Sequence, residues 1–94
     1  MKPKVIKLNF RDICEIDEVD PMYHDVHELS LNHNHLTKLD GIQQFKNLRS
    51  LQLNFNRIHS WDEFLKIQNP SALQELTIKG NPNLDIPVSN FGEL

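Results

Sequence analysis

The chain has 94 residues, 38% of them hydrophobic and 24% charged, and its ten Lys and Arg against thirteen Asp and Glu leave a net charge of −3. That length fits one domain at most, and the scattered cations make no basic field to draw in nucleic acid. No apolar run exceeds two residues and Cys14 is the one cysteine, which excludes from this sequence a transmembrane helix, a signal-peptide core, an internal disulfide and a multi-cysteine zinc site.

The apolar residues Ile6, Leu8, Ile13, Ile16, Val19 and Met22 open a spacing that recurs 23 positions later as Leu29, Leu31, Leu36, Leu39, Ile42 and Phe45. It returns after 22 more positions as Leu51, Leu53, Ile58, Trp61, Phe64 and Ile67, and 25 beyond that as Leu76 and Ile78. A fixed repeat of this size indicates stacked coils, here at 3–25, 26–47, 48–72 and 73–94 of a single domain over 1–94.

Each coil changes period partway along. Leu29 and Leu31, Leu51 and Leu53, and Leu76 and Ile78 alternate with polar residues, as in a strand with one buried face. The apolar residues that follow come every third position, which suits a 3₁₀ or short α return. The predicted fold class is therefore α/β. It is a short solenoid of about four coils, with a concave parallel sheet and 3₁₀/α returns on the convex side.

Asn34, Asn56 and Asn81 share one position, at the turn leaving the strand. A carboxamide turned inward there supplies donors and an acceptor to backbone groups that have no ladder partner, so these residues are read as structural. Arg11 holds this position in the first coil, which marks that coil as a degenerate cap. Asp17, Asp40 and Asp62 form a second column and are expected to cap the returns, with Ser60 and Glu63 as a capping box. The third return is longer than its neighbours, which predicts an α-helix near Trp61–Gln68 ended by Asn69-Pro70, with Trp61 in the core column of Ile16 and Leu39.

The segment LSLNHNHLTKLDGIQQFKNLRSLQLNFNRIHSWDEFLKI resembles the 22-residue intracellular class of leucine-rich repeat, typified by a regulatory subunit of protein phosphatase 1. Its pattern, LxxLxLxxNxIxxIxxLxxL, is matched at the apolar positions of both complete copies, and the resemblance extends over residues 3–84. Relatives of this class include the spliceosomal A-prime protein, the leucine-rich light chain of outer-arm dynein and several ciliary and centrosomal proteins. The resemblance implies a rigid concave surface that binds a protein and no catalysis by the repeats. KGNPN at Lys79–Asn83 is similar to the end of a last repeat, but residues 84–94 lack the helical cap that follows in the family. The expectation is a piece of a longer protein, with weak self-association through the uncovered C-terminal edge.

The outward strand positions form columns. Those expected to meet a partner are Gln52, then Asn32, Asn54 and Lys79, then the aromatic strip Phe10, His33 and Phe55. The outward Asn column, with Asn9 at its head, is expected to offer unspent donors and acceptors. His33 and His35 diverge across a turn, His24, Asp25 and His27 suggest adventitious metal at most, and no base stands near Cys14. No nucleophile elbow or Gly-rich phosphate loop is present. The sequence thus reads as a cofactor-free, non-enzymatic scaffold that binds protein without direct contact to nucleic acid or membrane. A cytoplasmic protein of cytoskeleton, cilium or centrosome is expected. The alternatives are a nuclear ribonucleoprotein component that binds an RNA-recognition domain, and a phosphatase regulator.

Overall fold

The computed structural model describes residues 4–84. Four three-residue strands, β1 (Val5–Lys7), β2 (Glu28–Ser30), β3 (Ser50–Gln52) and β4 (Glu75–Thr77), form one parallel sheet in chain order. The register aligns Val5, Glu28, Ser50 and Glu75 in one row and Lys7, Ser30, Gln52 and Thr77 in another. The middle row, Ile6, Leu29, Leu51 and Leu76, points to the core side. Residues 85–94, where the end of the fourth coil is expected, lie outside the described residues.

Two central coils supply most of the core: Val26, Leu29, Leu31, Leu36, Leu39, Ile42, Phe45, Leu48, Leu51, Leu53 and Ile58 are all buried. At roughly 25 cal/mol per Å² of apolar surface, this continuous stack is the main favourable term of the fold. The first coil packs on one side only among the described residues, so Ile6, Leu8, Ile13, Ile16 and Val19 are half-buried. Met22, in the column of Phe45, stays 61% exposed for the same reason.

The returns are 3₁₀ throughout: Pro21–Tyr23, Ile42–Gln44, Trp61–Lys66, Pro70–Ala72 and Pro82–Leu84. The long third return is therefore not the expected α-helix. Trp61, Phe64 and Ile67 recur every three residues, and only a helix with three residues per turn keeps that row on one side. It ends at Lys66, and a second short 3₁₀ turn from Pro70 accounts for the extra length. Trp61 is corrected too. Among the described residues the next coil adds only Pro82–Leu84 over this side, and the indole leans on Phe64 (centroids 5.6 Å apart) with 47% of its surface exposed.

The Asp column does not cap the returns. Asp20 and Ser60 accept from the N–H groups of Met22 and Asp62, and Gly41, at φ 99°, precedes the second return without a side-chain cap. The capping position falls one to three residues away from the column, because a 3₁₀ return starts later or earlier than the apolar period suggests. Asp17 contributes its carbonyl to Gln44 Nε2, Asp40 pairs with Lys66, and Asp62 lies inside the helix that Ser60 caps. Glu63 does not close a box on Ser60 but accepts from Leu39 N–H, 2.8 Å away in the preceding coil.

Candidate functional site

The inward Asn ladder looks backward along the stack. Asn34 Oδ1 accepts from the N–H groups of Arg11 and Ile13, both at 3.0 Å, in the coil before its own. Asn56 does the same for Leu36 N–H and Asn81 for Ile58 N–H, while their amide groups donate to Leu31 and Leu53 carbonyls. The turn of the first described coil is thus satisfied by Asn34, which is why Arg11 is tolerated where later coils have Asn.

A second ladder lies on the concave rim and corrects an expectation. The outward carboxamides are not unspent. Asn9 Oδ1 accepts from Asn32 N–H, Asn32 Oδ1 from Asn54 N–H, and Asn54 Oδ1 from Lys79 N–H, at 2.8–2.9 Å. Asn32 Nδ2 donates to Gln52 Oε1 at 3.0 Å, and Asn54 Nδ2 to Thr77 Oγ1 at 3.0 Å. Asn32, Asn54 and Gln52 therefore knit neighbouring coils together, because carboxamides facing backbone N–H groups 2.8 Å away are best satisfied locally. Lys79 is exposed, with its backbone in the ladder.

Immediately after each of these positions the chain turns through left-handed backbone: φ is 58° at Phe10, His33 and Phe55, and 75° at Gly80. Their N–H groups donate forward, Phe10 to Asn32 O, His33 to Asn54 O and Phe55 to Lys79 O. The rings are left standing off the rim and stack on one another. Phe10 and His33 lie 4.2 Å apart at 9°, and His33 and Phe55 4.5 Å apart at 14°. Phe10 is 72% exposed and Phe55 45%. Bulky residues in this conformation carry strain on the order of 1–3 kcal/mol each, and such strain gathers at functional sites.

The next row outward holds His35, weighed in the sequence only as a metal ligand, and Arg57, which its columns did not single out. They follow the inward Asn at the position of Asp12 and Pro82, and that shared place in the repeat is the signal that finds them. His35 Nε2 meets Asp12 Oδ1 at 3.1 Å. At the other end of the sheet, Asp25 pairs with Lys4 Nζ at 2.8 Å and His27 Nδ1 accepts from Lys4 N–H. Among the described residues no three His, Cys, Asp or Glu side chains converge as a metal site, and no helix is long and apolar enough to cross a membrane.

Comparison with known proteins agrees with this architecture. Residues 25–66 match the family model described as Leucine Rich repeats (2 copies), and with the parallel four-strand sheet this makes the fold a short leucine-rich repeat solenoid. The chain is 30% identical over 84 residues to the human serine/threonine-protein kinase 11-interacting protein, covering 76% of this chain and 8% of that protein. It is 33% identical over 72 residues to tubulin-specific chaperone E of Dictyostelium discoideum, covering 62% of this chain and 14% of that protein. It is 30% identical over 81 residues to the human tubulin-specific chaperone cofactor E-like protein, covering 81% of this chain and 19% of that protein. The chain spans less than a fifth of the length of these relatives. No solved structure gives a significant match.

Proposed function

We infer that this leucine-rich repeat solenoid is a non-catalytic protein-binding module whose partner contacts the aromatic rim of the concave face. The observation that carries the reading is the stack of Phe10, His33 and Phe55, three large side chains held exposed on strained left-handed backbone. A core needs no such arrangement, whereas an interface gains large contact area with few rotors to freeze. The relatives support the same class, since one is named as an interacting protein and two as tubulin-specific chaperone proteins. Those two names favour a cytoplasmic, cytoskeletal setting with a tubulin-related client. Weak self-association along β4, which pairs only with β3 among the described residues, belongs to the same reading.

The test is affinity capture from cells with the native chain and Phe55→Ala side by side, followed by titration of the captured protein. Phe55→Ala is expected to weaken binding by about 2 kcal/mol while hardly changing the melting temperature. Unchanged binding with a sharp fall in melting would make Phe55 a packing residue and remove the rim from the account.

A further inference from the structure

A shallow groove of about 350 Å³, open to solvent, lies beside the stack, its lining including His33, His35, Phe55, Arg57, Gly80 and Pro82. Phe55 and Pro82 give its lining apolar surface, and Arg57 brings guanidinium N–H donors to it. His35 is already engaged by Asp12, but Arg57 has no ion-pair partner among the described residues. The turns that build this rim, residues 9–12, 32–35, 54–57 and 79–82, contain Arg11, Arg57 and Lys79 against Asp12 alone. The whole chain carries −3, so the rim is charged against the trend of the protein.

We propose that this groove seats an acidic, extended segment of a protein partner, with a carboxylate on Arg57 and an adjoining aliphatic or aromatic side chain against Phe55 and Pro82. This rests on the reading of the rim as a protein-binding surface and names the chemistry it selects. A planar guanidinium matches a carboxylate through two parallel hydrogen bonds, a geometry that a point charge does not supply. A basic segment would meet Arg11, Arg57 and Lys79 as like charges and be turned away.

The probe is a fluorescein-labelled Gly-Glu-Leu-Glu-Leu-Glu-Gly peptide, read by fluorescence anisotropy beside its Lys-for-Glu counterpart. The acidic peptide is expected to bind, more weakly as salt rises, and the lysine peptide to bind at least tenfold more weakly. Arg57→Glu should reduce acidic-peptide binding about tenfold or more with the melting temperature unchanged, and Arg57→Lys should recover part of it. Equal binding of both peptides, no binding of the acidic one at millimolar concentration, or indifference to Arg57→Glu would each overturn the proposal. If a captured partner responds to Phe55→Ala but not to Arg57→Glu, this inference fails alone; if it responds to neither, the rim reading fails with it.

Discussion

The ring of Phe55 fills the space into which a Cβ on Gly80 would project, with its Cε1 atom 2.7 Å from where that carbon would stand. Gly80 is thus both the fourth member of the left-handed column and the seat of the last ring in the stack. The aromatic strip is bounded at this end by backbone, and among the described residues no further ring stacks beyond Phe10.

Gly80→Ala should therefore act twice, through its φ of 75° and through displacement of the Phe55 ring. A loss of about 1–3 kcal/mol in chemical denaturation is expected, together with a changed ring environment for His33 in NMR spectra. A stable Gly80→Ala protein with unchanged His33 resonances would show that Gly80 does not seat the stack.

The two Asn ladders should differ in cost. Asn34 bonds to the N–H groups of Arg11 and Ile13 and to the carbonyls of Leu8, Leu31 and Asn32, from a buried position. Asn34→Ala should cost about 3 kcal/mol in equilibrium unfolding, at the top of the range for unsatisfied buried groups, and Asn32→Ala nearer about 1 kcal/mol. An Asn34→Ala loss no larger than that of Asn32→Ala would contradict the inward ladder as the principal tie between coils.

Acid should loosen the join between the second and third coils. Lys66 Nζ lies 2.8 Å from Asp40 and 2.7 Å from Glu63. Its hydrogen bonds hold both carboxyls below their ordinary range, with Leu39 N–H assisting at Glu63, and the two acids raise Lys66 in turn, Asp40 more than Glu63. Carboxylates lowered by folding contribute stability that is complete above their unfolded range and lost as pH falls through the folded values. The raised Lys66 contributes below the ordinary lysine range and is lost as pH rises above it. The melting temperature should fall on the acid side, and Lys66→Met should flatten that dependence. An unaltered acid limb in Lys66→Met would place the acid-sensitive groups elsewhere.

Much of the fold is legible in the residues because the solenoid writes its geometry into a period. Leu29, Leu51 and Leu76 align in the sheet as their spacing requires, and Asn34, Asn56 and Asn81 hold one repeated place. Trp61 escaped because a column position says which way a residue points, not whether a neighbouring coil covers it. Asn32 and Asn54 escaped because an outward carboxamide on a strand end can reach the next coil's backbone, a relation across coils that no single column shows. The left-handed turn was hidden by the bulk of Phe10, His33 and Phe55, though Gly80 at the same position carried the hint. Arg57 and His35 became part of a groove only once the turns were stacked.

The central claim, that a protein partner meets the rim, is tested most directly by site-specific photocrosslinking. A benzophenone side chain placed at Phe10 should crosslink a discrete protein in cells, and the same group at Leu65, 82% exposed on the third return, should not. Crosslinking from Leu65 with none from Phe10 would contradict the claim and move the partner to the returns.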